Sequence, residues 1–155
     1  RDAITFSTGK ITVQIGKKTG ALTFFDASGR KLLAEKDNPP RQVDTVTHKV
    51  WNYFDWTRQE RLSAKGVLKD DRLPLKNTAK YICYGTKSKR FPLLHSNTGY
   101  GIAVAADSDV LCCNIPMYGP YVSAWNIEAV DYYFIAASGE EQVIERYISL
   151  MNGTV

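Results

Sequence analysis

Two stretches decide how this chain is read: Arg90-Phe91-Pro92-Leu93-Leu94-His95-Ser96-Asn97-Thr98-Gly99-Tyr100-Gly101-Ile102, and Val130-Asp131-Tyr132-Tyr133-Phe134-Ile135 running on through Gly139-Glu140-Glu141-Gln142-Val143-Ile144-Glu145-Arg146-Tyr147 to Asn152-Gly153. Arg90 to His95, Tyr100 to Ala105 and Ile127 to Ala136 are rich in the residues that suit strands. After the last of these the pattern changes. Ser138 is placed to cap a helix, with Glu141 three residues on to complete a capping box. Val143, Ile144, Tyr147, Ile148 and Met151 then form one apolar stripe, and Gly153 stands where a helix-ending glycine belongs. That stripe needs a surface to bury against, either the strands before it or a following domain.

Working outward, the first third reads as hairpins. Ile4-Thr5-Phe6, Ile11 to Ile15 and Ala21 to Phe25 are short β-rich runs, broken at Thr8-Gly9, at Lys17-Lys18-Thr19-Gly20 and at Asp26-Ala27-Ser28-Gly29. Leu32-Leu33 closes the unit before the loop Asn38-Pro39-Pro40. Val43 to Trp56 alternates as one long strand, and Lys65 to Asn77 reads as an extended polar loop. Tyr81 to Tyr84, Val110 to Asn114 and Tyr121 to Ala124 add further strands. Many short strands with little helix indicate a sandwich or barrel.

A chain of 155 residues is one domain of ordinary size. No apolar run reaches the roughly 20 residues that cross a bilayer. The net charge of +4 is spread among acidic residues. The densest basic cluster, Lys87-Ser88-Lys89-Arg90, lacks the interleaved aromatics of a nucleic-acid surface. Neither nucleic acid nor membrane is therefore the expected partner. Cys83, Cys112 and Cys113 have no metal-ligand spacing, so no metal or other cofactor is expected. They read as buried free thiols, which suits a reducing compartment such as the cytoplasm.

In this order the two opening stretches resemble the end of the N-terminal β-sandwich of glycoside hydrolase family 31, the α-glucosidases and α-xylosidases. In that family a Pro-Phe-Leu-Leu-Ser-type strand precedes Gly-Tyr-Gly, and a later strand leads through a short helix into a catalytic barrel. The hairpins ending in Thr19 to Asp26 resemble the family's opening sheet, and Glu60 to Gly66 stands where the family carries Glu and then Gly-Leu-Gly. The resemblance implies a mostly β fold, an antiparallel sandwich of the galactose-mutarotase-like type. Residues 1–137 would form the sandwich, and 138–153 a helix leading towards a (β/α)8 barrel absent from the chain. It also implies that the catalytic aspartates belong to that barrel, so none is expected here and the isolated chain should be inactive. The sandwich would pack on its own barrel and lend it a loop at the pocket for an α-linked oligosaccharide. By position that loop contains Thr86, Lys87 and Ser88, with Asp70 and Asp71 of the long loop near the same rim.

Two other readings compete. Trp51 and Tyr53 share one strand face and Phe54 and Trp56 the other; with Tyr118, Tyr121 and Trp125, the set a core does not absorb would suit a carbohydrate-binding module. A small aldose-epimerase-like enzyme would instead need His48 or His95 to meet a carboxylate in one cleft. Among possible glycosidase pairs, which need carboxyls about 5 to 9.5 Å apart, Glu140-Glu141 is explained by the start of a helix and Asp107/Asp109 by a turn. Only Asp70-Asp71 remains.

Overall fold

The computed structural model describes residues 2–65, 72–83, 92–106, 108–125, 129 and 131–153, without the side chains of residues 65, 72, 73 and 83. The fold is an antiparallel β-sandwich with one C-terminal helix. Sheet I is a meander of β1 (Ala3–Ser7), β2 (Ile11–Gly16), β3 (Leu22–Asp26) and β4 (Lys31–Ala34). Its hairpins turn where the sequence indicates, Gly9 and Gly29 sitting at φ 80° and 81°.

The run 43–56 is not one strand. The chain reverses at Thr45-Val46-Thr47-His48 to make a hairpin of β5 (Arg41–Asp44) and β6 (Lys49–Tyr53), with His48 at φ 50°. Asp44 Oδ1 accepts the Val46 and Thr47 backbone N–H groups at 2.9 and 3.2 Å, a turn that β-branched residues had disguised as strand. The polar stretch 65–77 likewise contains a short strand, β8 (Arg72–Pro74), paired with β7 (Leu62–Lys65). β9 (Ala79–Cys83), β10 (Leu93–Ser96), β11 (Tyr100–Val104), β12 (Val110–Cys113), β13 (Tyr121–Trp125) and β14 (Tyr132–Ala136) come next, then helix α1 (Glu140–Met151).

β14-β11-β10-β7-β8 form sheet II and β5-β6-β13-β12-β9 form sheet III. The main core lies where their inner faces meet. Leu62, Ala64, Leu94, Tyr100 and Ile102 come from sheet II, and Val50, Ile82, Val110, Cys112, Val122 and Ala124 from sheet III. Phe24, Leu32 and Leu33 of sheet I close one side.

Sheet II is buried on its other face too. Leu93, Ala103 and Ile135 point outward from it and pack under Val143 and Tyr147 of α1. This answers where the helical stripe goes: Val143 and Tyr147 are buried, while Ile148 and Met151 stay 44% and 64% exposed. Burying each such large side chain contributes about 1.5–3 kcal/mol. The N-terminus differs from the expected capping box. Gly139 is the cap residue, and the Gln142 side-chain oxygen accepts the Ser138 N–H at 2.8 Å instead.

The helix sits close because of the glycines flanking Tyr100. Gly99 takes φ 102° in the β10–β11 turn, which a side chain would strain. Gly101 is extended, and a Cβ there would overlap Val143 Cγ1. Gly101→Ala is expected to lower unfolding stability by about 1–3 kcal/mol through overpacking, measured by urea denaturation. Pairing it with Val143→Ala, which clears the space, is expected to recover part of that loss.

Candidate functional site

The residues expected to touch substrate, Asp70, Asp71, Thr86, Lys87 and Ser88, lie outside the described residues. The strands that flank them are described. β7 and β8 border 66–71, while β9 and β10 border 84–91. Ala64 lies opposite both Leu73 and Leu94, so the end of β7, the start of β8 and the start of β10 meet at one end of sheet II.

The histidines fall apart. His48 is exposed in the β5–β6 turn, whereas His95 sits on the outer face of β10 beside α1. His95 does meet an acid, its Nε2 lying 3.1 Å from Glu140 Oε2, with side chains 12% and 22% exposed. Ser63 Oγ, on the neighbouring strand, is 3.1 Å from Nδ1 and 3.2 Å from Nε2. A hydroxyl equidistant from both ring nitrogens cannot lie on the in-plane lone pair of either, because C–H ε1 stands between them. The serine, histidine and glutamate therefore do not form the aligned relay that nucleophilic catalysis requires. They tie the first turn of α1 to sheet II, where a carboxylate also complements the helix dipole.

Two carboxylates that the sequence left unremarked as a pair are buried. Glu35, 4% exposed, comes directly after β4. Its Oε2 accepts Leu22 N–H at 2.8 Å and Arg41 Nη2 at 2.5 Å, and its Oε1 accepts Asn52 Nδ2 at 3.1 Å and Tyr132 Oη at 2.7 Å. Glu60, 6% exposed, accepts Ser96 Oγ at 2.6 Å and Tyr100 Oη through Oε1, and Thr57 N–H at 3.3 Å through Oε2. Charges buried this way need several donors each, and these have them. Their lone pairs are committed to the fold. The sequence signal for Glu60 was its place at the head of the Glu60–Gly66 segment in the family resemblance; nothing comparable marked Glu35.

The aromatic residues divide as the alternation of β6 requires. Phe54 and Trp56 are buried and stacked with centroids 5.2 Å apart. Trp51 and Tyr53 face outward, and register carries the outward row onto Tyr121 and Trp125 of β13. Tyr53 meets Tyr121 edge-on at 5.8 Å, and Tyr81 of β9 approaches Trp125 at 5.9 Å. Lys49 Nζ lies over both indoles, 4.6 Å from Trp51 and 4.0 Å from Trp125. Partial burial lowers the pKa of that ammonium. Sheet III thus presents an aromatic outer face, the set that the core did not take.

An open groove of about 550 Å³ lies where the three sheets meet, with Phe24, Tyr132 and Phe134 along it and Arg41 and Asp131 beside it. The guanidinium of Arg41 is already spent on Glu35 and on Gly20 O at 3.3 Å. Among the described residues no group of three histidine, cysteine, aspartate or glutamate side chains is placed to hold a metal ion. No described helix is long and apolar enough to cross a membrane.

This architecture recurs in solved structures. A family 31 α-xylosidase from a soil metagenome, complexed with xylose, matches 96% of this chain over 25% of its own length, with TM-score 0.77 and 18% identity. The fold is one found in glycoside hydrolase family 31. A family 31 dextranase from Flavobacterium johnsoniae bound to isomaltotriose matches 96% of the chain over 19% of its own, at TM-score 0.75 and 17% identity. The cycloalternan-forming enzyme of Listeria monocytogenes, with a pentasaccharide, matches the same share over 16% of its length, at TM-score 0.77 and 16% identity. The chain thus spans a quarter or less of these enzymes. No protein-family model matches it, and no curated protein matches it in sequence. The chain is a domain related in fold to one part of family 31 enzymes.

The tyrosines on the two buried carboxylates give a test. Burial first, and the adjacent carboxylate second, hold Tyr132 and Tyr100 well above the ordinary tyrosine value of 10. A raised folded-state value contributes stability that is complete below pH 10 and is lost as pH climbs past it towards the folded value. Tyrosinate absorbance tracked against pH is expected to show a last step that coincides with unfolding. Tyr100→Phe and Tyr132→Phe are each expected to shrink that step; complete ionisation with the fold intact would contradict the burial.

Proposed function

We propose that the chain acts as a non-catalytic accessory sandwich of a family 31-type α-glycosidase, packing on a catalytic barrel and lending a loop to the sugar pocket. The observation that carries this reading is the coverage: nearly all of the chain matches, yet it accounts for a small share of each enzyme. Ile148 and Met151, left open on α1 after Val143 and Tyr147 are buried, are a suitable apolar strip for the barrel to rest on. The shared end of β7, β8 and β10 supports an origin for the two loops at one rim, with Asp70, Asp71, Thr86, Lys87 and Ser88 as the sugar contacts.

The outer face of sheet III supports a second reading, a carbohydrate-binding module that stacks sugar rings on Trp51 and Trp125. Lys49 over both indoles already shields part of that surface, which favours the accessory reading.

Purified chain incubated with aryl α-xylosides and aryl α-glucosides is expected to release no aglycone. Turnover that co-purifies with the chain would overturn the accessory role. Calorimetric titration with isomaltotriose separates the two readings: binding abolished by Trp51→Ala and Trp125→Ala would support the module, and no heat would support the accessory domain.

A further inference from the structure

β1 is the outermost strand of sheet I, paired among the described residues only with β2. Which of its backbone groups face outward can be read from the ladder. Lys17 N–H donates to Asp2 O at 2.9 Å and Thr8 N–H to Ile11 O at 3.0 Å. Register places Ile4 opposite Ile15 and Phe6 opposite Val13. Hydrogen-bonded and non-bonded pairs alternate in an antiparallel ladder, so the even residues from Asp2 to Thr8 bond to β2. Ala3, Thr5 and Ser7 therefore turn both N–H and C=O outward.

This edge lacks the usual protection. β5, β8 and β9, at other sheet edges, carry Arg41 and Asp44, Pro74, and Lys80 respectively. Ala3 to Ser7 has no charge and no proline, and nothing interrupts its register with β2. Its apolar side chains continue the inward face of the sheet, Ile4 and Phe6 extending the row of Ile15, Val13, Leu22 and Phe24, yet they are 47% and 60% exposed.

We propose that this edge is a self-association site, pairing antiparallel with β1 of a second copy of the chain about a two-fold axis at Thr5. The sequence Ala3-Ile4-Thr5-Phe6-Ser7 is self-complementary in that register. Thr5 meets its own copy and Ala3 meets Ser7, as hydrogen-bonded pairs that satisfy every outward N–H and C=O of both strands. Ile4 meets Phe6 twice, as non-bonded pairs, the closer kind and a favourable β-branched–aromatic match. The two sheets become one, with its apolar face continuous across the axis. Strands of five residues make a small contact, so the dimer is reversible and depends on concentration.

Sedimentation over a concentration series is expected to show a monomer–dimer equilibrium. Thr5→Pro removes only an outward N–H and keeps the ladder to β2, so it is expected to weaken the dimer more than about tenfold with an unchanged circular dichroism spectrum. The register has its own readout. At the axis, Thr5→Cys places Cα atoms about 5.5 Å apart, within disulfide reach, and is expected to form a covalent dimer under mild oxidation. Ala3→Cys, far from its symmetry mate, is expected not to. A chain monomeric at all concentrations, a dimer indifferent to Thr5→Pro, or crosslinking at Ala3→Cys as fast as at Thr5→Cys would each overturn the proposal.

Discussion

The arrangement of the three sheets depends on what a buried carboxylate demands. Glu35 is nearly inaccessible to solvent and must find donors inside the protein, and it draws them from every layer. Leu22 N–H belongs to sheet I, Arg41 and Asn52 to sheet III, and Tyr132 to sheet II. A side chain bonded to all three holds them in one relative orientation more specifically than apolar contact does. Hydrophobic burial is non-directional and tolerates sliding, whereas four hydrogen bonds on two oxygens do not. Glu60 repeats the device on a smaller scale, binding the segment before β7 to β10 and β11 through Ser96 and Tyr100.

Tyr100 also joins the buried network to the helix. Its ring enters the inner core while its flanking glycines serve the turn and the outer face, so three consecutive residues carry three separate duties. Gly99 permits the reversal of the chain, Tyr100 fills the sandwich and bonds Glu60, and Gly101 leaves room for Val143. The same short stretch thus sets the β10–β11 hairpin, the core between the sheets and the seat of α1.

Much of this was legible in the chain because it is encoded locally. The hairpins of sheet I arise from glycines at positions needing positive φ, and the two faces of β6 from period-two alternation between Trp51/Tyr53 and Phe54/Trp56. The helix was legible from its stripe, but not how that stripe divides. Val143 and Tyr147 face sheet II while Ile148 and Met151 do not, and this depends on the tilt of the helix, which periodicity does not contain. The β5–β6 reversal was hidden because Thr45, Val46 and Thr47 favour extended backbone, and a single Asp44 side chain overrides them. Donor sets spread over the chain, such as the four around Glu35, leave no spacing to recognise. The pairing of His95 with Glu140 is equally non-local, because it exists only once α1 has folded back across β10. The candidate sugar contacts rest on position in a resembling family, since loops carry little periodic signal of their own.

Sheet II is sheltered on both sides, by sheet III within and by α1 without, and β10 and β11 lie in its interior with partners on both edges. Their amide protons can meet solvent only when the helix lifts or the sandwich opens. Among the described residues these strands are consequently expected to exchange slowly, while β1, paired among them only with β2, is expected to exchange by local fraying. The first of the two stretches most informative about the fold thus lies at its kinetic centre, beneath the helix that the second supplies, and β1 lies at a labile margin.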